Sequence, residues 1–172
     1  MRRWLTWVVT VAVWSIVIHV AAVWAVPRLI MSTVLDRATE AASGTNVFLH
    51  APRATAQART IVRPSPDLSY SICIADVSGG PVRISAPVSE PYTSVSVFAA
   101  NSDNLFALND RDTSGQPIEL TLAGLDQPAP EGAPIVRLPS NRAVILVRRV
   151  IKDDAHLSVL DPIRRQARCG AS

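Results

Sequence analysis

Oxygen-bearing side chains crowd two short stretches of this chain, Asn101-Ser-Asp-Asn and Asn109-Asp-Arg-Asp-Thr-Ser-Gly. Such density could hold a hard cation or grip a polar ligand. Asp110, Asp112, Ser114 and Gly115 mimic the opening of a calcium loop, in which alternate oxygens converge on the ion and a glycine permits the sharp turn. The twelfth position breaks the pattern: a bidentate glutamate belongs there, and the chain offers Thr121, with Glu119 two residues early. An Asp- and Asn-rich hairpin turn, whose side chains bond their own backbone, fits the stretch better. We therefore assign no metal and no cofactor, and keep Asp110, Asp112 and Ser114 as weak calcium candidates.

Other chemistry is thinner. A small-ligand or glycan module would need an apolar cleft rimmed by Tyr70, Tyr92, Asn101 or Asp103. An enzyme would need carboxylates such as Asp76, Asp103 and Asp110 to meet in one pocket with shifted pKa values. No Gly-x-Ser-x-Gly elbow or Ser-x-x-Lys occurs, and Lys152 is the only lysine, so no catalytic residue is assigned. His50 and His156 are isolated and the two cysteines lack the paired spacing of a zinc site. Cys73 and Cys169 are instead the one available disulfide pair, which an oxidising space would preserve. The alternative is a small buried apolar Cys73 and a free thiol in the tail.

The net charge of +3 invites a nucleic-acid reading, which the distribution refuses. From residue 43 onward thirteen Arg and Lys meet twelve Asp and Glu, and no basic stripe with interleaved aromatics appears. The densest positives, Arg148, Arg149 and Lys152, face Asp153 and Asp154 in sequence and read as the solvated end of a strand.

The elements that must position these residues begin with a membrane span. Residues 4 to 26 carry no charged side chain. At 1.5 Å per residue such a helix rises roughly 34 Å, enough to cross a hydrocarbon core of about 30 Å with slight tilt. A cleavable signal is the alternative, with Arg2 and Arg3 as its basic region and Val23-Trp24-Ala25 as its cleavage site. Its apolar region would be unusually long, however. Trp4, Trp7 and Trp24 also stand near the ends of the run, where an aromatic belt sits. Arg2 and Arg3 then keep residues 1–3 cytoplasmic by the positive-inside rule, with the rest of the chain exported. His19, a lone imidazole near the helix end, reads as tolerated or interfacial.

Residues 27–66 read as a helical stalk and connector, with Pro27 kinking the exit, Ser43 and Gly44 ending the helix, and 45–66 only partly ordered. From Asp67 the apolar period becomes two. Strands are predicted at 70–77, 82–86, 92–99, 105–108, 117–122, 134–138 and 142–151. Ala143-Val-Ile-Leu-Val suits a central strand buried on both faces, and 154–168 a short terminal helix. Residues 67–172 thus form an exported, mainly β domain, an antiparallel β-sandwich or barrel-like body behind the single transmembrane helix.

Pro66-Asp-Leu-Ser-Tyr-Ser, Asp76-Val-Ser-Gly-Gly-Pro-Val, Ala86-Pro87, Tyr92-Thr-Ser-Val and Ala100-Asn-Ser-Asp-Asn-Leu-Phe occur in order. Together they resemble the bacterial family called domain of unknown function 1254. Its members show a tyrosine-serine strand, an aspartate before a glycine-proline turn, and a strand opening with tyrosine. Arg142 to Arg149 resembles the family's late apolar strand ending in arginine. The resemblance implies a mainly β domain in an exported bacterial protein and no activity, with larger members continuing into a second β-rich domain. Taken together, these features predict a non-enzymatic periplasmic domain. Its partners would be the lipid bilayer, through residues 4–26, and another envelope protein.

Overall fold

In a computed structural model that describes residues 2–57 and 63–171, the apolar N-terminus forms one helix, α1 (Arg2–Ala41), with Pro27 inside it. It is long and apolar enough to cross a membrane. Its end is built by hydrogen bonds from Gly44 N–H to the Thr39 carbonyl (2.9 Å) and from Ser43 N–H to the Glu40 carbonyl (3.0 Å). Ser43 takes the left-handed φ of 58° that this closure requires. The predicted stop at Ser43 and Gly44 is thus where the chain leaves the helix.

Nine strands and one helix follow among the described residues: β1 (Phe48–His50), β2 (Leu68–Asp76), β3 (Val82–Ala86), β4 (Thr93–Ala99), β5 (Asn104–Asn109), β6 (Ile118–Gly124), β7 (Ile135–Leu138), β8 (Arg142–Val150), α2 (Asp154–Arg164) and β9 (Arg168–Ala171). They make a five-stranded sheet ordered β1-β2-β8-β4-β5 and a four-stranded sheet ordered β7-β6-β3-β9. Both sheets have free edges, so no closed barrel forms. The β6–β7 pair is parallel, a departure from the all-antiparallel expectation. Two strands were not anticipated. β1 lies in the stretch read as a loose connector, and β9 follows a terminal helix that stops at Arg164 instead of reaching 168. Part of the connector reading, residues 58–62, lies outside the described residues.

One core lies between the sheets. Cys73, Ala75, Val95, Val97, Ala143, Ile145 and Val147 from the larger sheet meet Val82, Ile84, Ala86, Ile118, Leu120 and Leu122 from the smaller. Full burial of each large aliphatic side chain contributes about 1.5–3 kcal/mol. β8 is the middle strand, paired along its length with β2 and β4. Its continuous apolar run has a direct cause: Ala143, Ile145 and Val147 enter the shared core, while Val144, on the opposite face, lies under α1 with Leu35 and Ile74. The helix touches the sheet through its last turns, where Met31, Val34 and Ala38 also pack. Arg142 fixes it there, donating to Asp36 Oδ1 (3.1 Å) and Thr39 Oγ1 (3.0 Å).

The cysteines pair. The Cys73–Cys169 bridge joins β2 of the larger sheet to β9 at the edge of the smaller, closing a loop of 96 residues.

Candidate functional site

The acidic turn spends its oxygens on itself. Between β5 and β6, Asp112 Oδ2 accepts from the Asn109 side-chain amide (2.6 Å) and backbone N–H (3.1 Å). Asn109 Oδ1 accepts from Arg111 N–H (2.9 Å), and Thr113 Oγ1 donates to the Gln116 carbonyl (2.7 Å). Ser114 and Gly115 sit at φ 52° and 78°, the left-handed values that a tight turn requires. Asp110 Oδ1 is buried without a partner, and Glu119 is drawn to Arg83 at 2.8 Å. No group of three His, Cys, Asp or Glu is gathered among the described residues.

Strand register separates the other candidates. Thr93 aligns with Arg149 and Ser69 at one end of the larger sheet, and Ala99 aligns with Ala143 and Ala75 at the other. Tyr70 and Tyr92 therefore belong to the first end and Asn101 and Asp103 to the second, about 20 Å apart at 3.3 Å per residue. The Tyr70 hydroxyl accepts from Ser65 N–H (2.9 Å), while Asn101 donates to Asp103 Oδ2 (2.6 Å). The carboxylates divide in the same way: Asp110 N–H bonds the Thr93 carbonyl at the first end, and Asp76 and Asp103 lie at the second. Hydrogen bonds from Ser78 hold the Asp76 carboxyl below the usual range, with a smaller contribution from Arg142.

The first end holds a polar cluster that the sequence reading missed. Arg149 is fully buried, not a solvated strand end, and no Asp153 or Asp154 carboxylate reaches it. Asp153 caps α2 by accepting from His156 N–H (2.7 Å), and Asp154 pairs with Arg53 (2.8 Å). Arg149 Nη2 donates to the Pro87 carbonyl (2.7 Å), and Nε and Nη1 have no partner. Burial, then the charge of Arg164, pushes its pKa down to about 10. Arg164, also buried, comes from α2 and bonds Asp161 (2.6 Å) and the Ala51 carbonyl (2.8 Å). His50 of β1 shares a 2.8 Å hydrogen bond with Ser71 of β2. One signal for this cluster was in the sequence: a period of two puts Arg149 on the face of Ala143, Ile145 and Val147, hence inward.

A family model described as a protein of unknown function, DUF1254, matches residues 45–171, from the end of α1 to the last strand. The chain belongs to the DUF1254 family. The match takes in both sheets, the disulfide and the buried arginines, and leaves α1 outside. Among solved structures, this DUF1254 domain is similar to the VPA0106 protein from Vibrio parahaemolyticus, with a TM-score of 0.68 at 17% identity over 88% of this chain and 36% of that one. At that identity the likeness concerns the fold. An uncharacterized protein from Burkholderia cenocepacia aligns with a TM-score of 0.47 at 20% identity, over 73% of this chain and 36% of its own. The chain thus spans about a third of the length of each of these structures. A comparison with curated proteins returned no match.

Proposed function

We propose that this DUF1254 chain is a tethered envelope protein. Residues 4–26 cross the inner membrane with residues 1–3 in the cytoplasm, and a β-sandwich head stands in the periplasm as an interaction or structural domain, not as an enzyme. The observation that carries this reading is how α1 divides. Trp4, Trp7, Trp14, Ile18 and Trp24 are all 60% or more exposed, while Leu35, farther along the same helix, is buried against the sheet. Apolar surface on that scale is costly in water and costs nothing in lipid.

Arg28 stacks over Trp24 at 4.2 Å, a cation and an aromatic side by side where the apolar run ends. Ala100, Asn101, Pro139 and Ser140 line a cleft with Arg28, so these loops would sit at headgroup level. The disulfide supports an oxidising compartment for the head. The interaction role draws support from the polar turns, in which Asn101 bonds Asp103 and Asn109 bonds Asp112 within their own loops instead of converging on one site.

Reporter fusions after residues 42 and 172, active only when exported, test the topology: both should be active. Cytoplasmic activity at both, or a soluble mature protein lacking its first 25 or so residues, would overturn the tether. Purification in mild detergent should bring down a stoichiometric envelope partner; a chain that purifies alone would argue against the interaction role.

A further inference from the structure

The cluster at the α2 end of the core has an imbalance that the residues around it do not correct. A guanidinium keeps its proton at neutral pH, and a buried charge is stable only when paired. Arg149 is 0% exposed, and its one bond goes to a neutral carbonyl. No carboxylate pairs with Arg149: Asp161 is engaged by Arg164 and Arg165, Asp154 by Arg53 and Asp153 by the first turn of α2, while Asp110, whose buried Oδ1 is unpartnered, makes no ion pair with it. Ser69 lies directly across from Arg149 on β2, on the same inward face. It is 1% exposed, and its Oγ also has no partner. Arg149 Nε, Arg149 Nη1 and the Ser69 hydroxyl are thus donors on neighbouring side chains, sealed from water, beside one uncompensated positive charge.

We propose that this end of the core is an anion site, in which the Arg149 guanidinium and the Ser69 hydroxyl hold a small inorganic anion of chloride size. The donor set selects the charge, because hydrogen bonds from an ionised donor to an anion are about twice as strong as neutral ones. Burial selects the size. Arg149 is 0% exposed and Ser69 1%, so an ion held between them is enclosed and a phosphate or an organic acid has no entry. The anion ties β8 to β2 just where α2 closes the core, and so acts as a structural ligand.

The test uses the full chain in detergent micelles, with sodium chloride exchanged for sodium gluconate at constant ionic strength and unfolding followed by calorimetry. Chloride should raise Tm by roughly 4 °C or more between its absence and saturation, because a ligand held only by the folded state stabilises by mass action. Arg149→Met should abolish the response and melt no lower than the wild type in gluconate, since it also removes the unpaired charge. Should Arg149→Met fail to fold, Ser69→Ala serves instead, with an expected several-fold weaker chloride dependence. Crystals of the full chain grown in bromide should show an anomalous peak beside Arg149 and Ser69. A Tm indifferent to chloride, an unchanged response in Ser69→Ala or Arg149→Met, or a bromide peak elsewhere only would overturn the site. A peak at the site without any Tm response would mean an adventitious ion only, and would overturn it equally.

Discussion

Asn46 stands at a left-handed φ of 60°, donates from Nδ2 to the Asp76 carbonyl (3.0 Å) and accepts at Oδ1 from the Asp76 N–H (2.9 Å). Its side chain thus imitates a strand backbone and fastens the exit of α1 to the end of β2. Asn46→Ala should cost about 1–3 kcal/mol, because it leaves both groups of a partly buried peptide unpaired. Calorimetry in detergent measures it as a lower Tm. His50 supplies a pH signature. Burial first, then the charges of Arg164, Arg165 and Arg149, hold it below its ordinary value of 6.5, against an opposing pull from Asp161. The folded protein then takes up this proton less readily than the unfolded chain. His50's contribution to stability is therefore full above pH 6.5 and declines as pH falls through that value toward the lower folded pKa. A His50→Gln chain should lose this part of the pH slope, and the His50 ring protons should titrate below 6.5 by NMR. Neither residue stood out in the sequence, since both depend on partners more than twenty positions away, Asp76 for Asn46 and Ser71 for His50.

At the scale of elements, the last turns of α1 behave as a docking segment. Leu35 meets Ile74 and Val144, and Arg142 bonds Asp36 and Thr39. Leu35→Ala should weaken this docking by about 2–4 kcal/mol, the usual cost of truncating a buried leucine. The two sheets do not depend on that contact for their shared core. The expected outcome is faster protease cleavage in the 42–47 link, with the melting of the sheets little changed. Equal cleavage rates in mutant and parent would count against docking. The sequence made α1 legible through composition, and it made β8 legible because an apolar run without alternation needs cover on both faces. It did not reveal β1 or β9. Three or four residues hold at most two turns of a period-two pattern, too few to stand out from a loop. Both strands form because β2 and β3 present open edges to them.

For the molecule as a whole, the disulfide is a side-chain cross-link between the sheets. Reduction should destabilise the domain by up to about 4–5 kcal/mol, the chain-entropy figure for a loop near 100 residues. Calorimetry with and without reductant should show Tm falling by many degrees, with far-UV circular dichroism at room temperature preserved. An unchanged Tm would mean that β9 is held by its backbone pairing to β3 alone. The link also orders the molecule along its length. Helix, bridge and the Asn101 loop belong to the end nearest α1 or to the middle of the sheets, and the arginine cluster belongs to the far end under α2.

By itself the sequence determined that an uncharged run of 23 residues precedes a sheet-forming chain, and that its polar turns are turns. These properties are local, fixed by hydropathy, period and turn chemistry within a few neighbouring residues. Only the tertiary structure decided that Cys73 meets Cys169, that Tyr70 and Asp103 lie at opposite ends, and that the inward-facing Arg149 has no carboxylate paired with it. Each of these outcomes depends on which strands lie side by side and in what register. A shift of one residue in that pairing would turn Arg149 to the other face of the sheet.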